Sequence, residues 1–451
     1  MLNGHKTMFI PKIFWYNTVL PFLLFLSVMK SSSPIPFLFC SAFCFQTVIL
    51  AAYNVDTLEA LQSRINDARP GDVIVLKDGV YTVEHPITIA VTGTKEQPIT
   101  ISAQSVGGVE LQGSQGVGFH PGAAHIVLSG FKFANTAGKN SISVGASHIR
   151  ITRCTFVCPG RGPYFVVSGN DIEIDHNEFR DKSRWGNMIS ITGENGIVAK
   201  RVWIYRNYFH NFSRSTEPGE TNDLEVIRYG LSHLSMSNGE GIIEYNLFVR
   251  CVGENELISN KSGGNIYRYN TFLDSRGSQL TLRHGNDCKV YGNYFRGTDG
   301  IRIFGDRHEV YENFLENNTT GIQIGNGGAE VADGAPMTSH DRPDDCVIRN
   351  NILVNNNLQY FMSGRNRGLG APRTTFVENT IVGGNVAAKI DGPYPDAVWR
   401  DNIIWNVADL GDVPESGIRR VDPGTLLPVT LGIRVLIPAD VGPLAPTATA
   451  K

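Results

Sequence analysis

The chain is 451 residues long and nearly neutral, with 40 Lys and Arg against 43 Asp and Glu for a formal charge of -3. A nucleic-acid binder would carry a clear basic excess, so that class is excluded, and 41% hydrophobic with 18% charged residues excludes a disordered chain. The 48 glycines exceed a tenth of the sequence, against a usual ~7%, and point to turn-rich β structure.

Two apolar stretches, 13–28 and 35–52, come first. The second follows Met29-Lys30, a start-like methionine with a cation, and ends at Ala51-Ala52. That is the layout of a secretory signal. The expectation is therefore an N-terminal extension and signal over residues 1–52 with its start at Met29, and a protein exported to the periplasm or beyond the cell. An uncleaved membrane anchor is the alternative, although the first stretch contains Pro21 and is short for a span of about 20 apolar residues. Outside this segment remain Cys154, Cys158, Cys251, Cys288 and Cys346. Their odd number and lack of C-x-x-C spacing argue for buried packing rather than zinc or a disulfide scaffold.

Residues 57–68 place Leu58, Leu61, Ile65 and Ala68 on one helical face, with Asp56 or Thr57 as N-cap and Pro70-Gly71 as the stop. Helical periodicity then gives way to short alternating runs. Among them Asn-x-Phe recurs at Asn177, Asn207, Asn246, Asn270 and Asn293, with weaker copies at Asn313, Asn351, Asn379 and Asn402. Phe133 and Phe156 keep the phase upstream, and the basic period is 23 residues with insertions. Such a repeat marks a solenoid. Three strand-sized pieces per unit predict an all-β, single-domain, right-handed parallel β-helix over residues 53–440, followed by a tail at 441–451. Stacked Asn would hydrogen-bond from coil to coil, stacked Phe would fill the interior, and the helix would cap the first edge. A β-propeller, with four strands in about 40 residues, fits less well.

A long β-helix face offers a groove for an extended polymer. Glu254 and Glu256 are two apart, so on a strand they leave one face. Asn222 precedes Glu254 by 32 residues, one inserted coil. An amide oxygen and two carboxylates are hard-oxygen chemistry suited to Ca²⁺. Lys261, Arg283 and Arg307 follow their repeat Asn by 15, 13 and 14 residues, which stacks three cations on successive coils and calls for an anion across them. Each group alone reads as an ordinary surface charge; the joint pattern at coil spacing marks a site.

The segments Glu254-Asn-Glu-Leu-Ile-Ser-Asn-Lys-Ser262 and Leu282-Arg-His-Gly285 resemble the core motifs of polysaccharide lyase family 6, which contains alginate lyases and the dermatan-cleaving chondroitinase B. The resemblance covers roughly residues 54–440. It implies a calcium ion on Asn222, Glu254 and Glu256, Lys261 as general base and Arg283 as acid or charge stabiliser. Arg228 and His284 match motif neighbours lining the substrate groove, and Arg302, Arg307 and His308 are weaker assignments on the next coil. The implied reaction is β-elimination at a 4-linked uronate. Glu225-Val-Ile-Arg-Tyr-Gly230 and Gly300-Ile-Arg-Ile-Phe-Gly305 look more like the alginate branch. The expected partner is thus an anionic uronate polysaccharide handled by a monomer. Dermatan sulfate as substrate and a noncatalytic carbohydrate-binding β-helix are the alternatives. A hydrolase would need two acids flanking the bond, and Asp344-Asp345 lies in a loop-like stretch. Asn260-Lys-Ser262 is formally a glycosylation sequon, expected to stay unmodified because a glycan there would block the groove.

Overall fold

The computed structural model describes residues 52–337 and 339–444. Apart from Ala52, the expected leader lies outside them, as does the end of the expected tail. Each coil lays one strand in each of three parallel sheets. The first sheet runs from Ala52–Val55 to Val398–Arg400, the second from Gly79–Thr82 to Ile418–Arg419, and the third from Ile87–Ile89 to Asp409–Gly411. They hold 14, 14 and 13 strands respectively. A strand pairs with its equivalents one coil before and after, as Ile151 does with Leu128 and Ile174. The fold is the right-handed parallel β-helix.

Period-two alternation drives each coil to close. In Asn170–Asp175, Ile172 and Ile174 point inward and are buried, while Glu173 between them faces out. Inside, Phe133, Phe156, Phe179, Phe209, Phe248, Phe272 and Phe295 form one file of rings with centroids 4.5–5.0 Å apart. All five cysteines outside the leader are free and buried.

The corner between the first and second sheets is built on the repeat Asn. Each is fully buried from Asn177 to Asn402. Asn246 donates from its main-chain N–H and its Nδ2 to Oδ1 of Asn270, both at 3.0 Å, and Asn270 does the same to Asn293 at 2.9 and 3.0 Å. The remaining Nδ2 hydrogen of Asn270 goes to the carbonyl of Ile243 in the previous coil. The residue before the Asn turns the corner in the left-handed region, with φ of 53° at Tyr245, 55° at Tyr269 and 53° at Glu312. For residues with a Cβ this costs about 1–2 kcal/mol. The hydrogen-bonded ladder offsets that strain.

Both the start and the outer surface of the stack are covered. The helix Leu58–Asn66 is capped by Thr57 Oγ1, which accepts from Ala60 N–H, and buries Leu61 and Ile65 on the first coil. Its Gln62 amide donates to the Thr88 carbonyl and accepts from the Thr88 N–H, each at 2.8 Å, so the edge strand Ile87–Ile89 finds side-chain partners. At the other end, residues 426–443 run back outside the second sheet. Ile433 packs with Tyr294, Phe314 and Ile352, and Leu436 and Val441 pack with Leu247 and Val249. Arg153 donates to the carbonyl of Pro443. Among the described residues no helix is long and apolar enough to cross a membrane.

Asn293→Ala removes the acceptor of two buried donors on Asn270. It should destabilise the protein by about 1–3 kcal/mol in urea unfolding, and Asn402→Ala, at the ladder's end, by less. Equal effects at both positions would show that the ladder is not a cooperative element.

Candidate active site

Four strands of the third sheet carry the charged residues: Ile227–Tyr229, Glu256–Lys261, Gln279–His284 and Ile301–Ile303. Their register puts Arg228, Ser259, Thr281 and Arg302 in one outward row. Beyond the paired Leu282 and Ile303, Arg283 is followed on the next coil by Phe304, whose N–H donates to the Leu282 carbonyl, while Lys261 pairs with His284. A register shift between Asn260 and Lys261 marks a bulge there. Inside the bulge Asn260 is fully buried, donating to the carbonyls of Ser262 and His284 and accepting from Asn265 and Tyr267. Its amide is therefore engaged within the coil.

The acidic cluster is Glu225, Glu254 and Glu256, each offering an oxygen within 4.8 Å of the others. Glu225 was not singled out by sequence reasoning. The register supplies the signal: Ile227 pairs with Ile258, so Glu225 lies one coil below Glu256. It is buried, accepts from Asn187 Nδ2 at 2.6 Å and lies 3.6 Å from Lys261 Nζ. Asn222 is exposed and lines a cavity of about 410 Å³ with Glu254, Glu220 and Arg214. Glu256, fully buried, accepts from Arg283 Nη1 at 3.0 Å, Arg302 Nη2 at 2.5 Å and Ser259 Oγ at 2.5 Å. Burial, then Glu225 and Glu256, hold the Glu254 carboxyl well above the usual carboxylate range. Three carboxylates this close resist being charged together unless a cation joins them. Their oxygens suit a hard cation. Ligand distances of about 2.3–2.6 Å match oxygens separated by up to 4.8 Å.

Around the acids stand Lys261, Arg283, Arg302, Arg228 and His284. Arg228 donates to Asp223 and to Ser190 Oγ. Burial pushes the Arg302 guanidinium below its ordinary value, with Glu256 opposing. His284 is buried with no partner for Nδ1, and burial first, then His340 and the nearby cations, push it down to about 3.

Arg307 and His308 fall elsewhere. The connection from second to third sheet shortens along the stack: Ile258, Leu280 and Ile301 lie 12, 10 and 8 residues after Asn246, Asn270 and Asn293. Counting from the Asn therefore overshoots on the third coil, where Phe304 follows Arg283. The expected stack of Lys261, Arg283 and Arg307 is thus corrected: the bulge pairs Lys261 with His284, and the residue after Arg283 on the next coil is an aromatic ring. Arg307 turns away to Asp287 and Asp333. His308 is buried, accepting at Nδ1 from Cys288 N–H while its Nε2 donates to the Phe304 carbonyl. It holds a turn.

Between strands Thr320–Ile324 and Val347–Arg349 a long insertion returns to the cluster. His340 from this loop lays its ring 5.3 Å from that of His284 and 4.8 Å from that of Phe304. Burial, then Arg283, Arg302 and Arg365, push it down to about 4, so it is neutral at ordinary pH. The loop is tied by Asp333 to Arg307 and Asn286, and Asp341 accepts from the Val331 N–H.

The chondroitinase B family model matches residues 55–390. Among solved structures, the PL6 family alginate lyase AlyGC is 27% identical with a TM-score of 0.71, covering 82% of this chain and 53% of that one. The chain thus spans about half the length of AlyGC. A mannuronic acid specific polysaccharide family 6 lyase from human gut microbiota is 28% identical with a TM-score of 0.72, covering 82% of this chain and 91% of that one. The PL6 family polysaccharide lyase Pedsa3628 from Pseudopedobacter saltans, 20% identical with a TM-score of 0.66 over 85% of this chain and all of that one, shares the fold. Among curated proteins, none matches the chain in sequence.

Asp306 also ties the loop, its Oδ1 accepting from the Asp344 N–H, and it has a pH signature. Burial first, and Asp341 second, push Asp306 up to about 7. An unfolded Asp titrates near 3.9, so between about 4 and 7 the folded state holds a proton that the unfolded state has lost. Stability attributable to this group therefore falls as pH rises through that window. Melting temperatures in chelator from pH 4 to 8 should show the decline, and Asp306→Asn should flatten it relative to the parent. An identical slope in the variant would refute the assignment.

Proposed function

This chain belongs to the chondroitinase B family of polysaccharide lyases, and from that premise we propose that it cleaves alginate by calcium-dependent β-elimination at a 4-linked uronate. One observation carries the reading: three clustered carboxylates, Glu225 and Glu256 buried and Glu254 half-buried, lie directly beside Lys261, Arg283 and Arg302 on adjacent coils. A purely binding surface needs cations for a polyanion but gains nothing from sinking acids among them. The alginate preference rests on the named activities of AlyGC and the gut enzyme.

The reaction removes the proton at C5, α to the uronate carboxylate. The electron pair left behind forms the C4–C5 double bond while the C4–O bond breaks and the leaving oxygen gains a proton. In this reading Lys261, in its neutral form, takes the C5 proton. Arg283 and Arg302 face the charge that develops on the uronate carboxylate, and Arg283 also supports the departing oxygen. Fixed charges aimed at such a position stabilise a transition state more than they would in water. Arg228 and His284 border the sugar.

Asn222, Glu225, Glu254 and Glu256 would hold the calcium ion. Bound there, it supplies positive charge and Lewis acidity at the uronate carboxylate. Arg283 and Arg302 now lean on Glu256, so they are positioned to share their charge between that acid and substrate. Export is part of the proposal, resting on Met29-Lys30 and Ala51-Ala52.

Incubation with alginate should give rising ultraviolet absorbance from the unsaturated product, lost in chelator and restored by calcium. Lys261→Ala should lower kcat at least a thousandfold while oligosaccharide binding persists; substantial turnover in that variant would remove Lys261 as base. Glu225→Gln should raise the calcium concentration needed for half activity at least tenfold, and an unchanged requirement would take Glu225 out of the ligand set. A rise with dermatan sulfate but not alginate would keep the chemistry and change the substrate.

A further inference from the structure

His340 lies outside every motif of the coil repeat, yet it reaches the catalytic row. That row runs from Arg283 to Phe304 on successive coils, and the next coil offers Gly325, three residues past Ile322, which pairs with Ile301. Gly325 has no side chain to contribute, and a Cβ there would lie 2.3 Å from the Phe304 ring. The row therefore ends under the Phe304 ring, and the insertion following Gly325 folds back to place His340 over it. The same ring meets His284, the neighbour of Arg283.

Several features separate His340 from a packing residue. It is half-buried, so part of its ring remains open to the groove. Neither ring nitrogen has a hydrogen-bond partner among the described residues. The cations that act on it are Arg283, Arg302 and Arg365, of which Arg283 and Arg302 also bind Glu256. Arg365 is itself held by Ser339, the residue before His340. The arrangement sets His340 beside a second neutral imidazole, His284, with the guanidinium groups of Arg283, Arg302 and Arg365 acting on it.

We propose that His340 is a specificity-determining residue, whose imidazole hydrogen-bonds a hydroxyl of the uronate bound beside Arg283. This rests on the lyase reading of the site. Mannuronate and guluronate carry the same groups and differ in configuration at C5, which turns the ring and sends its hydroxyls in different directions. The charged residues recognise the carboxylate common to both sugars. A neutral group fixed at one side of the groove is what can sense the difference. A site built to hydrogen-bond one hydroxyl rejects the sugar that presents it elsewhere, because its own polar atom is then left unpaired.

The test compares wild type, His340→Ala and His340→Asn on polymannuronate and polyguluronate, with melting temperatures recorded for each. In His340→Ala the ratio of kcat/KM for the two polymers should change at least fivefold, mainly through KM on the preferred one. His340→Asn keeps a donor and an acceptor and should recover part of the ratio. If the alanine variant is poorly folded, the asparagine variant carries the test through its own change in ratio. A ratio within twofold of wild type in both variants overturns the proposal, and so does a loss of kcat that is equal on both polymers. If wild type yields no unsaturated product, the lyase reading has failed on its own. Calorimetry with mannuronate and guluronate tetrasaccharides then decides His340 separately: altered selectivity in His340→Ala supports its role, and unaltered or absent binding overturns it.

Discussion

Everything in this molecule depends on one coil lying in register on the next. Parallel strands about 4.8 Å apart turn a position in sequence into a row in space. The Asn ladder pins that register at the corner between the first and second sheets, where Tyr245, Tyr269 and Glu312 accept left-handed backbone. A slip of one residue would break two buried hydrogen bonds per coil there and expose the inward Ile, Val and Phe. With the register fixed, Ser259, Thr281 and Arg302 must stand in line, and the bulge at Lys261 sets that side chain opposite His284.

That geometry makes the electrostatics of the site costly to avoid. Glu225 and Glu256 sit on neighbouring coils with Glu254 beside them, and the like charges would repel strongly in a buried setting. Arg283 and Arg302 relieve Glu256, and Lys261 lies against Glu225. Replacing such a set with apolar side chains would often be neutral or stabilising. Its presence on the floor of a groove fits the proposed reaction, in which the acids would hold a cation and the basic groups would face an anionic sugar. Stability and chemistry are coupled through the same six side chains.

The solenoid leaves strand pairing intact while its corners vary. Residues 213–226 and 325–345 are insertions flanking strands of the third sheet, and both return to the groove. The first brings Asn222 and Glu225, the second His340. The surrounding coils stay in register because each insertion leaves and rejoins at a corner. Variation in what the groove recognises can therefore accumulate in these loops without disturbing the stack.

The repeat of Asn-x-Phe was enough to determine the β-helix, its buried ladder and its ring file, because those contacts are made between equivalent positions of consecutive coils. The capping helix was legible for a similar reason, its apolar face being local. Glu256, Lys261 and Arg283 were legible as motif residues on two adjacent strands, whereas Glu254, read as sharing a strand with Glu256, lies in the bend just before it. Arg307 and His308 were misplaced because the coil shortens between the second and third sheets, and a count along the chain does not see where a strand ends. Glu225 escaped because its place below Glu256 follows from the pairing of Ile227 with Ile258, which no motif in the sequence marks, and His340 because it reaches the site from an insertion. The C-terminal segment packed along the outside was equally invisible, since Ile433 and Leu436 find partners far away in the chain. Sequence determined what repeats from coil to coil; only the tertiary structure decided what the insertions and unequal coil lengths bring together, because those contacts have no period.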